Sequence, residues 1–323
     1  MRSAQSTLLA CVIVALGQLT QADAQNYPNR PLRFVIPFPP GGGADNLARI
    51  VGQKAGDSLG QQIVIDNRAG AGGNIAAEVV AKAAPDGYTL LQGNVAHAIS
   101  ASLYRKLNYD LLRDFTPVTQ LASIPFMLVV YPSLPAGSVK ELIALAKSKP
   151  GQLSYASSGN GGPSHLAMEL FKSMAGVEIR HIPYKGAASA ATDLISGQVQ
   201  TMFFTISAAL PHIKSGRLKG LAVASGRRIP LAPDFPTVAE EGVPGFEATT
   251  WFGVLAPAGT SPDMVNKLHS VFVSALTAPD VRDRLANQGF ELIGSAPNQF
   301  GAYVKAEIPK WAKVVRASGA TID

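Results

Sequence analysis

The sequence predicts an α/β protein of two domains, each built on a mostly parallel sheet. Three observations carry that prediction. Short apolar runs alternate with stretches of helical period along most of the chain. Glycine-bearing turns sit between a strand and the following helix at four places, as parallel strands joined by right-handed crossovers require. The chain has 323 residues, and single cores stop growing near about 250–300 residues.

Taken in order, LRFVIPF (Leu32–Phe38) reads as a buried strand. The helical stretch after it, Ala44–Leu59, places Leu47, Ile50, Val51, Ala55 and Leu59 on one face. QIVIDN is the second strand, an alanine-rich helix runs from Asn74 to Ala84, and PDGYTLLQGN is a turn and a strand. In the middle third, Ser138 and Glu141 have the spacing of a capping box, and that helix stops at Pro150-Gly151. Strand LSYASS, turn GNGGP and a helix with Leu166, Leu170, Phe171 and Met174 facing inward come next. EIRHIPY is a strand, KGAAS opens a helix ending near Gly197, VQTMFF is a strand, SAALPHIKSG is a helix with an early proline, and LKGLAVAS is a strand.

Two extended apolar stretches, Phe115–Ser133 and Phe246–Gly259, bracket this third and read as the crossings between domains. The last helices, one opened by Ser261-Pro262 as N-cap and N1 and one beyond Pro297, return to the first domain. The expected organisation is a discontinuous domain 1, residues 25–125 and 247–323, and a domain 2, residues 126–246.

Residues 1–24 are set apart. Arg2, the apolar run LLACVIVAL and the small-x-small sequence ADA read as a signal peptide cut near Ala24, which implies export to the periplasm. No later segment is apolar for long enough to span a bilayer. Cys11 is the only cysteine, so the mature chain has no thiol nucleophile, disulfide or thiolate metal site. The net charge is +6 with 15% charged residues, but no dense basic run with interleaved aromatics occurs, which argues against a nucleic-acid partner.

The four turns are PPGGGAD (39–45), NRAGAGGN (67–74), SSGNGGPSH (157–165) and YKGAAS (184–189). In parallel α/β sheets such turns lie at the carboxyl edge of the strands, where ligands bind. A helix N-terminus there offers unpaired N–H groups and roughly half a positive charge. Two turns from each domain would grip an anion from both sides. They are not phosphate loops: no GxxxxGK[ST] is present, and GAGGNI has Ile75 where GxGxxG needs its last glycine.

Catalytic sets are sparse. His97, His165, His181, His212 and His269 show no i, i+3 or i+4 pairing, so no helical metal site is signalled, and no GxSxG elbow occurs. Ser157 or Ser158 with Lys185 is the pairing a secreted hydrolase would use. Against it, both serines serve a turn and Lys185 meets solvent or a ligand. His165, near the third position of a helix started by Pro163, is a local cap, a packed ring or a ligand contact. Asp45 either organises its loop and helix dipole or reads a positive group on the ligand. A sensory domain of similar fold is the other alternative.

YPNRPLRFVIPFPPGGGAD, NRAGAGGNIAAEVVAKAAPDGYTLL, SYASSGNGGPSHLAMELFK, HIPYKGAASAATDLISGQVQ, ALPHIKSGRLKGLAVAS and PTVAEEGVPGFE occur in this order along the whole mature chain. Together they resemble the Bug family, the extracytoplasmic solute receptors of tripartite tricarboxylate transporters. The resemblance implies a type II periplasmic binding protein: two doubly wound α/β domains, a two-strand hinge, and a cleft that closes on a small organic carboxylate. It also implies a monomer without enzymatic activity, cofactor or metal, which delivers its ligand to integral membrane transporter subunits. The first-domain contacts it implies are Phe38, Gly42, Gly43, Ala44, Asp45, Ala71, Gly72 and Gly73. Those of the second are Ser157, Ser158, Gly161, His165, Tyr184, Lys185 and Gly186, with Phe204 and Thr205 ending strand VQTMFF. Many relatives carry an acidic residue where this chain has Phe204. That departure removes an acceptor for an ammonium group and favours an aromatic or purely anionic ligand, unless Phe204 simply packs.

Overall fold

The computed structural model describes residues 27–184 and 186–320. The expected signal peptide, with its cut near Ala24, and Lys185 lie outside the described residues. The first half of the chain runs β1 (Leu32–Ile36), α1 (Gly43–Leu59), β2 (Ile63–Asn67), α2 (Asn74–Ala81), β3 (Thr89–Asn94), α3 (Val95–Leu103), β4 (Phe115–Val130), α4 (Val139–Ser148), β5 (Ser154–Ser157) and α5 (Pro163–Ala175). It continues β6 (Arg180–Pro183), α6 (Ala187–Ile195), β7 (Thr201–Thr205), α7 (Ile206–Lys214), β8 (Lys219–Val223), β9 (Thr249–Pro257), α8 (Pro262–Thr277), α9 (Pro279–Ala286), β10 (Glu291–Leu292) and α10 (Pro297–Ser318).

The strands form one sheet in the order β2-β1-β3-β9-β4-β7-β5-β6, with β8 and β10 also pairing to β4. Each end of the sheet is parallel: β1 lies between β2 and β3, and β5 lies between β6 and β7. The centre is antiparallel, because β9 runs against both β3 and β4. β4 is the element that joins the halves. Its residues Phe115–Pro125 pair with β9, and Phe126–Val130 pair with β7. Pro125 has no N–H to give to a ladder, and it stands where β4 changes partners. Register irregularities beside Pro117 and Gln120 let so long a strand bend without losing its partner.

Helices cover both faces of the sheet, leaving β4 buried along nearly all its length. The close approach of α10 depends on Gly253 of β9, where a side chain would overlap the Phe300 ring. Glu307 of α10 is buried but satisfied: it accepts hydrogen bonds from Trp251 Nε1 at 3.1 Å, Trp311 Nε1 at 2.8 Å and Lys310 Nζ at 2.9 Å.

Several expectations need correction. The α2 helix ends at Ala81 rather than Ala84, and α3 and the α9–β10 segment were not expected. In α5 the core takes Leu166, Met168 and Phe171, whereas Met174 is 42% exposed. The buried face is rotated because Ser164 and His165 turn inward to bond the preceding loop. A pattern built on apolar residues alone does not see such polar burial.

Candidate ligand-binding cleft

The four glycine turns follow the carboxyl ends of β1, β2, β5 and β6 and open α1, α2, α5 and α6. The N-caps of these helices are Gly42, Gly73, Gly162 and Gly186, and none has a side-chain cap. The α7 helix, entered from Thr205, is likewise uncapped by a side chain. Elsewhere Ser138 and Ser261 cap α4 and α8 in the ordinary way. Five helix starts near the strand ends therefore carry the positive end of the helix dipole with no side-chain cap, and of these only α1 has an acidic residue, Asp45, in its first turn.

The first turn is shaped from inside. Asp45 is 3% exposed. Its Oδ2 accepts hydrogen bonds from the Gly41 N–H and Arg49 Nε, both at 2.9 Å, and its Oδ1 accepts one from Asn67 Nδ2 at 2.9 Å. Asn67 Nδ2 also donates to the Phe38 carbonyl at 3.0 Å, which ties the first turn to the end of β2. Burial raises the Asp45 carboxyl, but these donors outweigh it and hold the group below the usual carboxylate range. Both oxygens are engaged within the protein, so the geometry gives Asp45 the loop-organising role.

The second turn holds Ala71 at φ 47° and Gly72 at φ 67°, a left-handed excursion that costs an alanine of order 1 kcal/mol or more. Gly73 is required by contact: a Cβ there would lie 3.0 Å from Pro37 Cβ and 3.2 Å from His97 Nε2. Nothing in the spacing of the five histidines marked His97 as a neighbour of this turn. It is the third residue of α3, fully buried, and its Nδ1 accepts the Asn94 N–H at 3.1 Å. Its Nε2 therefore carries the proton and faces the Gly73 carbonyl at 3.3 Å. Burial lowers the His97 pKa to about 4, against the opposing effect of those backbone bonds. Gln92 Nε2 completes this floor by donating to the Ala44 carbonyl at 2.9 Å.

The third and fourth turns are cross-braced. The Tyr184 N–H donates to the Ser157 carbonyl at 3.1 Å, and Tyr184 OH donates to Asp193 at 2.7 Å. Burial and that carboxylate raise the Tyr184 pKa to about 12. The Ser158 N–H donates to Ser164 Oγ at 3.1 Å and the Gly161 N–H to His165 Nδ1 at 2.9 Å. Ser157 Oγ is buried, 2.6 Å from His181 Nε2 and 3.1 Å from the Gly159 carbonyl. The rings of His165 and His181 are stacked 3.9 Å apart, with Tyr155 beyond His181 at 4.8 Å. Burial, the second imidazole and Lys172 together lower the His165 pKa to about 3. Phe204 is 5% exposed and stacks on His212 at 6.2 Å, while Gly186 holds φ 136° at the start of α6.

A cavity of about 570 Å³ lies on one flank, between α1 and the strap 287–290 on one side and α7 on the other. Of the predicted contacts, only Gly42 and Gly43 line it. Its other walls, including Ile124, Ser207, Leu210, Lys214 and Phe290, carry no motif and were not legible. Among the described residues there is no cluster of three or more metal-ligating side chains.

This fold and cleft define a two-lobed α/β solute receptor. The chain belongs to the tripartite tricarboxylate transporter receptor family, whose pattern matches residues 47–320. It is 39% identical to the protein BugT of Bordetella pertussis over 317 residues, covering 98% of this chain and 97% of that one. Among solved structures it is similar to Rpa4515 of R. palustris with adipate (TM-score 0.80, 40% identity, 91% of this chain and 99% of that one). It is also similar to MatC of Rhodopseudomonas palustris with bound malate (0.77, 36%, 90% and 100%) and to the periplasmic binding protein BugD (0.77, 35%, 91% and 99%). The family and these neighbours are solute-binding receptors rather than enzymes.

Proposed function

We propose that the protein captures a small organic carboxylate between its two lobes and delivers it to the integral membrane subunits of a tripartite transporter. The observation that supports this reading is the set of five helix starts without side-chain caps at the strand ends. Backbone N–H groups suit a carboxylate without needing an arginine. The relatives bearing adipate and malate agree with that chemistry.

In this reading Phe38, Gly42, Gly43, Ala44, Ala71, Gly72 and Gly73 serve the ligand from the first lobe, and Asp45 holds their loop in shape. Ser157, Ser158, Gly161, His165, Tyr184, Lys185, Gly186 and Thr205 serve it from the second, with Phe204 behind them. The lobes are residues 25–125 with 247–323, and 126–246, a division supported by the change of partner in β4 after Pro125. The chain is exported, cut near Ala24, and acts as a monomer.

The test is a thermal shift of protein stripped of ligand by unfolding and refolding, against a panel of organic carboxylates. A ligand at 100 times its Kd adds about 2.7 kcal/mol of stability. At least one carboxylate is expected to raise Tm and to be recovered unchanged by native mass spectrometry. No shift with any of them defeats the reading.

A further inference from the structure

We propose that His181 is the positioning residue of the third turn: its Nε2–H fixes Ser157 Oγ, and Ser157 fixes the turn backbone that receives the ligand. The proposal rests on the carboxylate-receptor reading above and names the residue that shapes its second lobe.

The register of β5 and β6 sets the contact. Tyr155 is paired with His181, and Ser157 follows Tyr155 on the same face of the strand. His181 therefore lies against Tyr155 and reaches forward to the end of β5. Its ring stacks on Tyr155 at 4.8 Å and on His165 at 3.9 Å, so packing holds its orientation.

Ser157 Oγ has three neighbours and three bonds to make. It lies 3.1 Å from the Gly159 carbonyl oxygen, 3.3 Å from the Gly159 nitrogen and 2.6 Å from His181 Nε2. The carbonyl can only accept, so it takes the hydroxyl proton, and the Gly159 N–H can only donate. The remaining lone pair accepts from His181, which therefore carries its proton on Nε2. Burial lowers the His181 pKa, and the opposed charges of Glu169 and Lys172 do not undo it, so the ring is neutral at pH 7 and Nδ1 is bare. The other tautomer would turn Nε2 into an acceptor, draw the Ser157 proton away and leave the Gly159 carbonyl with one donor fewer.

This polarity is the reverse of a nucleophile and its base. There the imidazole accepts the hydroxyl proton; here it donates, and Ser157 is fully buried. The pair is built to hold the turn. Gly159 sits at φ 150°, where L side chains are rarely found, and Ser157 Oγ both takes its N–H and donates to its carbonyl. Gly161, two residues on, is held by His165 Nδ1. The stacked imidazoles thus grip the turn at two points, one through Ser157 and one directly.

Long-range proton–nitrogen NMR of the ligand-free full chain at pH 7 is expected to show His181 protonated on Nε2 and bare on Nδ1. A proton on Nδ1 overturns the proposal, and this measurement needs no variant. Isothermal titration with adipate, malate, citrate, benzoate and glutamate then finds the tightest-bound acid, which serves as the probe. His181→Phe keeps a stacked ring and loses the donor. The probe should bind it about tenfold more weakly, and the Gly159 amide should exchange with solvent about tenfold faster while the Gly41 amide does not. His181→Gln, whose amide donates from near the place of Nε2, should recover both to within about threefold. Ser157→Ala should weaken the probe about tenfold, and adding His181→Phe to it should cost no more than about twofold further. CD melts verify that each variant folds. Unchanged affinity or exchange in His181→Phe, no recovery in His181→Gln, or additive losses in the double variant overturns this proposal and leaves the receptor reading intact. Failure of every acid to bind the unmodified chain overturns both.

Discussion

Asp45 Oδ1 accepts a hydrogen bond from Asn67 Nδ2 at 2.9 Å, and through it the turn after β1 is fixed to the end of β2. The same carboxylate holds the Gly41 N–H, so the backbone of the turn is set before any ligand arrives. A receptor that binds through backbone groups needs this, since a mobile loop would have to be ordered at the cost of affinity.

Asp45→Ala removes the acceptor of the Gly41 N–H and of one Asn67 amide hydrogen at a part-buried site. Net losses of about 0.5–1.5 kcal/mol per hydrogen bond are usual, and urea unfolding should show a drop of about 1–3 kcal/mol. Ligand affinity should fall by a similar factor for a plain dicarboxylate and for an amino acid. A loss confined to amino acids would instead assign Asp45 to an ammonium group.

Stability should depend on pH through the two buried histidines. His97 and His165 titrate near 4 and 3 in the fold, against about 6.5 in the unfolded chain. Below pH 6.5 the unfolded chain binds protons that the fold refuses, so stability is full above 6.5. It declines as pH falls toward 4 for His97 and 3 for His165, by on the order of 3 kcal/mol for His97 alone. Urea midpoints at pH 7, 5.5 and 4.5 measure the slope, and His97→Asn should flatten it. Equal midpoints at all three pH values would disprove the assignment.

Gly289 is where the strap before β10 meets Ile206 and Ser207 at the start of α7 and the Leu231 side chain. Its φ is +85°, and a Cβ would come within 3.0 Å of Ile206 Cγ2 and 3.2 Å of Leu231 Cδ2. Gly289→Val should hold the lobes apart, destabilise the chain by about 1–3 kcal/mol, and weaken every carboxylate about tenfold. Gly151→Ala, in the turn before β5 and away from the cavity, makes the control: φ is +70° but the space beside it is open, so only the backbone cost of about 1 kcal/mol applies. Equal affinities in the two variants would remove Gly289 from closure.

The sequence by itself determined what local physics can encode. The alternation of strand, glycine turn and helix fixed the α/β class, because side-chain period and backbone freedom are properties of neighbouring residues. Ser138 and Ser261 announced their helices, and Phe115–Ser133 announced a long extended crossing. The tertiary structure alone decided the rest. His97 reaches the Gly73 carbonyl across 24 residues and Asn67 reaches Asp45 across 22, distances over which no periodicity speaks. Met168 rather than Met174 fills the core because Ser164 and His165 are drawn inward by the loop they bond. The flank cavity is assembled from residues 41 to 290, joined only when β4 and β9 carry the chain between lobes. In "PFPPGGGADN" the sequence showed a turn able to meet an anion, and the folded chain sets the Asp45 carboxylate on the Gly41 N–H and the Asn67 amide beside it.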